Sequence, residues 1–375
     1  ARRCKGPAAA DKARQQRFFP AASKAAPAKA ARASNQFSPS SRPSSARRPR
    51  PQAIYLCATM QDTEQLIDTR HDDHIHDVAW DYYARRLATA SSDRTIKVWA
   101  VDGETHALQA TIEGHEGPVW EVAWAHPKHG AVLASCSYDG TVRVHREDAP
   151  GRWLPAHAWA PEGAEAASIN SIAWAPEGVG SLMLACGGAD GHATVLAHDA
   201  ATGEWGAVRF LASPLGCNAV SWCPTECAGS SHADGSVALR LATGCADALV
   251  KVWRAAPPSA DGAVAWEAEP MAQGGRLHKG WVRDVAFAPF YGAPQPCLAS
   301  CSEDKSVYVW TRGDLDGPWV ATRVRIFDAP CWRVSWSVTG NILAVSSGDD
   351  DVSLWKESLT GDWAEVAKPE PAAPN

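Results

Sequence analysis

The chain has 375 residues, and all 18 Trp lie between Trp80 and Trp363, which confines any aromatic core to that stretch. Residues 1–52 hold 13 Lys or Arg and one acid, Asp11, so the leader carries +12 while the 23 bases and 41 acids from residue 53 onward give −18. A body that acidic argues against nucleic-acid binding, no apolar run is long enough for a membrane-spanning helix, and the single Trp-rich stretch favours one large all-β domain over two average ones.

Residues 1–52 are rich in Ala, Ser, Pro and basic residues, a mixture that buries too little apolar surface to offset chain entropy, and we expect a disordered extension there. An organelle leader, or a basic arm for RNA or anionic lipid, would share this composition; a solvated extension requires neither. No secretory apolar segment precedes the domain, which points to cytosol or nucleoplasm.

From residue 64 the chain repeats itself. A strand-like piece, EQLIDTR (64–70), comes first, followed by six similar units. Each unit opens on a segment with period-2 apolar character: IHDVAW (75–80), VWEVAW (119–124), INSIAW (169–174), CNAVSW (217–222), VRDVAF (282–287) and CWRVSW (331–336). A small-residue run follows (LATASSD, LASCSYD and their counterparts), suited to a strand packed on both faces. Each run ends on an Asp (93, 139, 190, 247, 304, 349) six residues ahead of a third-strand aromatic or apolar residue, and a fourth strand with its own aromatic closes the unit, as in GDWAEV (361–366), with a plainer HALQATIEG in the first. Four strands per repeat of this length predict a β-propeller.

The recurring Asp suits the tight turn between the second and third strands, where its side chain can accept backbone N–H groups. His71, His115 and His278 stand four residues before the opening strands of their units, pairing by position with Asp93, Asp139 and Asp304; the other units carry Glu165, Ser213 and Phe327 there. A His beside a carboxylate is half of a catalytic triad, but a pair repeated in three units is a structural device rather than a unique site. The 11 Cys contain no C-x-x-C, and Cys223 and Cys227 have no second ligand pair, so reduced core thiols are expected, with no catalytic residue, metal or cofactor.

Six complete units leave residues 64–70 over. That piece stands where every other unit is preceded by its neighbour's fourth strand, yet the sixth unit already has its own, GDWAEV. Either 64–70 is surplus or it belongs to a seventh blade whose other three strands come from another polypeptide.

HDDHIHDVAWDYYARRLATASSDRTIKVW, GHEGPVWEVAWAHPKHGAVLASCSYDGTVRVH, HKGWVRDVAFAP and CLASCSEDKSVYVWT resemble the Sec-thirteen family of WD40 propellers over residues 64–367. The resemblance implies an open six-bladed propeller completed in trans by a three-stranded blade. The donor would be an α-solenoid subunit of the COPII vesicle coat or an α-helical nucleoporin of the nuclear pore outer ring. It also implies a non-enzymatic scaffold in a hetro-oligomer, located in the cytoplasm, on ER-derived vesicles, at the pore and in a lysosome-docked nutrient-signalling assembly. VLAHD in the third unit, the long segment 225–241 and the basic leader depart from the family pattern. Two other readings are a Seh-one-type pore propeller and a closed WD40 adaptor that binds peptides. On the open reading, residues 368–375 are a flexible tail, and the partner's blade is expected to touch Gln65, Leu66, Ile67, Ile75, Asp77, Ala79, Val334, Trp336, Leu343 and Leu354.

Overall fold

The computed structural model describes residues 64–367, apart from 104, 162–166, 226, 228–236, 258–263, 290–294, 314–316 and 349–350, together with the backbone of 17–18, 30–34 and 53–57. Strands are numbered in chain order: β1 (Arg17–Phe18), β2 (Ala30–Ser34), β3 (Ala53–Cys57), β4 (Glu64–Asp68), then β5 (Ile75–Trp80), β6 (Arg86–Ser91), β7 (Ile96–Asp102) and β8 (Thr105–Ile112), which form the first sheet of the repeat. Five further four-stranded antiparallel meanders follow: β9–β12 (119–159), β13–β16 (169–211), β17–β20 (217–268), β21–β24 (282–326) and β25–β28 (331–367). The all-β, six-unit expectation holds, and all six opening strands coincide residue for residue with the predicted segments.

Each meander places its first strand innermost, and these inner strands, β5, β9, β13, β17, β21 and β25, pack in succession on one another. Second strands such as β10 (Val132–Ser137) and β18 (Arg240–Cys245) are buried at every residue, because neighbouring sheets cover both faces. Hydrophobic clusters fill all five interfaces between successive sheets. A sixth cluster lies on the outer face of the first sheet, where Val78, Trp80, Leu87, Trp99 and Val101 are met by Ile67 of β4.

The turn chemistry recurs as expected. Asp93, Asp139, Asp190, Asp247 and Asp304 each accept the N–H two residues on, at 2.9–3.1 Å. The residue between adopts left-handed φ, from +64° at Ala248 to +87° at Gly191. A Cβ on Gly191 would come within 1.7 Å of the Ser213 carbonyl oxygen, so that turn tolerates only glycine. Asp349 lies outside the described residues.

β4 stands to the first sheet as β16 (Trp205–Leu211) stands to the fourth. Lys97 of β7 reaches the carbonyls of Thr69 and Arg70 just after β4, as Lys251 reaches the carbonyl of Ala212 just after β16. β4 is thus an outer strand of a sheet preceding the first. Its ladder partner is β3, in register from Cys57 opposite Glu64 to Ala53 opposite Asp68, and β3 continues through β2 to β1. The outer strand of the sixth sheet, β28 (Trp363–Ala367), pairs with β27 (Asp351–Glu357). Apart from the backbone of 17–18 and 30–34, the predicted disordered extension lies outside the described residues, as do the tail 368–375 and most of the 225–241 segment.

Candidate partner-binding interface

All six inner strands carry a β-bulge at their second residue, so the pairing register skips His76, Trp120, Asn170, Asn218, Arg283 and Trp332. A bulge re-aims the residues beside it. The third residue is thereby directed at the next blade. Asp77 accepts the N–H of Val122 at 3.0 Å, Glu121 that of Ile172 at 2.8 Å, Ser171 that of Val220 at 3.2 Å and Asp284 that of Val334 at 3.0 Å. In the fourth blade the third residue is Ala219, which has no acceptor, and the Ser221 hydroxyl takes the Phe287 N–H instead, at 3.0 Å.

The sixth residue forms a second bridge in the opposite direction. Indole N–H groups of Trp124, Trp174, Trp222 and Trp336 donate to the carbonyls of Ala79, Ala123, Ala173 and Ala286 in the preceding blade, at 2.9–3.0 Å. Trp80 is the first member of this series. Its ring is buried, yet its Nε1 has no hydrogen-bond partner among the described residues. A buried donor without a partner is costly and uncommon in a native fold. The N–H of Val78, lacking an acceptor from a preceding blade, turns to the carboxylate of its own neighbour Asp77, as Val285 turns to Asp284 after the Ala219 gap.

Beside Trp80 the central channel opens into a cavity of about 310 Å³, whose walls include Val78 and Trp80 of the first blade and Ser335, Ala344, Ser346 and Val352 of the sixth. Among the described residues, β25 and β5 lack the packing that joins every other pair of successive inner strands. The two blades meet instead through Arg333, whose guanidinium lies 3.7 Å from Asp77 and 3.4 Å from Glu121. Burial pushes Asp284 up to about 6 and raises Asp77 as well, with Arg333 opposing in both cases.

The His/Asp pairs sit away from this cleft, in the turns. His71 lies 2.7 Å from Asp93 and 2.7 Å from the Thr89 hydroxyl; His115 lies 3.0 Å from Asp139 and 2.8 Å from the Ser135 hydroxyl. His278 bonds the Ser306 and Ser300 hydroxyls, each at 2.8 Å, and is 3.5 Å from Asp304. Burial lowers the pKa of His71 and His115 despite their aspartates, which keeps both rings neutral. For Asp93 and Asp304, burial works upward but is outweighed by bonds from the His and the turn, and both stay below the usual carboxylate range. Each pair ties a turn to the segment before its inner strand. Cys223 and Cys227 are buried and in no disulfide, and among the described residues no group of three or more metal-ligating side chains gathers.

The residues singled out in the sequence divide by strand parity. Ile67 and Ile75 lie on the cleft side of the first blade, where Ile67 is fully buried. Gln65 and Leu66 are placed on β4, paired with Leu56 and Tyr55. Asp77 and Val334 line the channel. Ala79 packs toward the second blade, and Trp336 and Leu343 toward the fifth. Leu354, half-buried, shares the cleft-side parity of Val352 on β27. Trp80, Ser335, Ala344 and Ser346 were not among them. The signal for Trp80 was present in the text, since it is the one sixth-position Trp with no inner strand before it.

Comparison with known proteins supports the repeat architecture. The WD domain, G-beta repeat model matches residues 64–100, 107–146 and 276–311. The chain is 44% identical over 316 residues to "Protein transport protein sec13" of Emericella nidulans, covering 82% of this chain and 98% of that protein. It is 39% identical over 308 residues to "Protein SEC13 homolog" of Drosophila melanogaster, covering 80% and 83%. Among solved structures, a chain of a mitotic checkpoint complex superposes with a TM-score of 0.61 at 16% identity, covering 88% of this chain and 86% of that one, a likeness of fold.

Proposed function

The chain belongs to the SEC13 family, and from that premise we propose that it is a non-enzymatic scaffold subunit in protein transport, completed in trans by three strands of an α-helical partner. The partner is a solenoid subunit of the COPII coat or a nucleoporin of the pore outer ring, which places the chain on ER-derived vesicles and at the nuclear pore. The observation that carries this reading is the unmatched Trp80 indole on a face whose outer strand, β4, is in place. Every other indole of the series bonds a carbonyl of the inner strand before it.

The mechanism is mechanical. A blade seated between the first and sixth sheets is buried on both faces and resembles a domain core more than a transient contact, with an area above roughly 2,000 Å². The partner's rod is then held rigidly at one point, and rigid vertices let a coat impose curvature without this subunit entering lipid. Because β3 holds the edge of β4, a donated strand has to take that edge in its place.

Affinity purification of the full-length chain from its own cells tests the reading. The expected result is a stoichiometric α-helical polypeptide, with the amides of 64–68 more protected from exchange in the complex than in the free chain. Recovery of the chain alone, or of peptide ligands that leave 64–68 unchanged, would overturn it.

A further inference from the structure

The bonds between successive blades form a rule with two ends. The sixth residue of each inner strand donates an indole N–H backward to the fifth carbonyl of the strand before it, in four of the five interfaces. In the remaining interface the sixth residue is Phe287, which has no side-chain donor, and its main-chain N–H donates to the Ser221 hydroxyl instead. At the cleft the rule is left open on both sides. Among the described residues, the Trp80 indole is a donor without an acceptor, and Ser335, at the fifth position of the last inner strand and equivalent to Ala79 and Ala286, has a carbonyl that receives no indole N–H.

We propose that Trp80 and Ser335 select the inner strand of the donated blade: Trp80 donates its indole N–H to the fifth main-chain carbonyl of that strand, and that strand's sixth residue is a Trp that donates to the Ser335 carbonyl. The occupant is thus an edge strand on the same plan as INSIAW or CNAVSW, from a protein partner. This rests on the trans-completion reading and adds the residues that set register. Register must be pinned here, because a slip of one residue turns every side chain of a strand to the opposite face. The third residue of the sixth blade, Arg333, is a donor turned across the channel to Asp77 and Glu121, so it offers the incoming strand no acceptor. Indole and carbonyl are therefore the polar contacts that remain to fix the strand's position along the cleft.

Two substitutions in the full-length chain give opposite patterns. Trp80→Phe removes a donor that is unmatched in the free protein, and the buried Phe287 shows that a sixth position accepts Phe. Trp222→Phe removes the same volume together with a satisfied bond to Ala173. Trp80→Phe is expected to lower the melting temperature of the free chain less than Trp222→Phe, yet to weaken binding of the co-purified scaffold polypeptide about tenfold, the effect of leaving one buried carbonyl unpaired. Trp222→Phe is expected to leave that affinity within about twofold.

Indole N–H exchange gives a readout independent of the partner. In ¹⁵N spectra of the free chain, the resonance lost in Trp80→Phe should exchange with water faster than those of Trp124, Trp174 and Trp222, and become protected on adding the scaffold polypeptide. Equal affinity of wild type and Trp80→Phe, a Trp80 indole already protected in the free chain, or a donor strand without Trp at its sixth position would each overturn the assignment while leaving trans completion standing. Failure to recover any strand-donating polypeptide would remove both.

Discussion

The interface between the third and fourth blades and the outer face of the first blade are written in nearly the same residues. Trp222 and Trp80 both close an inner strand, both are buried, and each sits beside a Leu of its second strand, Leu241 or Leu87. Trp222 has Ala173 to bond and a neighbouring sheet to pack on; Trp80 has Ile67 of β4 and, among the described residues, no acceptor. A repeat specifies what each blade offers its neighbours, and position in the chain decides whether the offer is met.

Removing the ring altogether should give the largest contrast. Trp222→Ala is expected to cost about 3–5 kcal/mol in urea unfolding, from lost packing and a lost bond, whereas Trp80→Ala should cost visibly less, because its cluster is completed from one side only. Equal losses would mean that the first blade's outer face is as fully packed as the interior. Asp284→Ala should come next, at about 1–3 kcal/mol by the same assay, since it leaves the Val334 N–H buried without its acceptor and takes a carboxylate from Arg333.

Acid should separate the turns from the channel. His71 and His115 have folded pKa values below their unfolded value of 6.5, so the stability they contribute is complete above pH 6.5 and is lost as pH falls below it. Asp284 has the opposite sign. Raised from 3.8 to about 6, it favours the folded state at low pH and loses that contribution as pH rises through this window. Asp284→Asn removes the opposing term, so its urea midpoint should fall more steeply than that of wild type between pH 7 and pH 5; parallel curves would show that the channel carboxylate does not titrate there. The smallest effect expected is from Ser171→Ala, about 0.5–1.5 kcal/mol at 25 °C, through loss of one neutral bond to the Val220 N–H.

Much of this was legible in the text. The inner strands could be placed to the residue because one six-residue pattern, apolar at the first, fourth and sixth positions, recurs in every unit, and the Asp turns because an Asx side chain satisfies the backbone locally. The His/Asp pairs followed from their fixed offset. Cleft residues were harder to choose. Alternation says that Trp336 and Ser335 point to opposite sides, but not which side meets the fifth blade and which the cleft; Trp336 proved to bond Ala286, leaving Ser335, Ala344 and Val352 toward the opening.

By itself the sequence determined six four-stranded repeats, their turns and an additional strand ahead of them, because each of these depends on patterns within a few tens of residues. Only the tertiary structure decided which face of each blade is covered, that the bulge sends the third side chain to the next blade, and that Arg333 crosses the channel while Trp80 is left without an acceptor. Those outcomes depend on how one sheet sits against the next, and hydrogen bonds between residues some fifty positions apart leave no local trace in the order of amino acids.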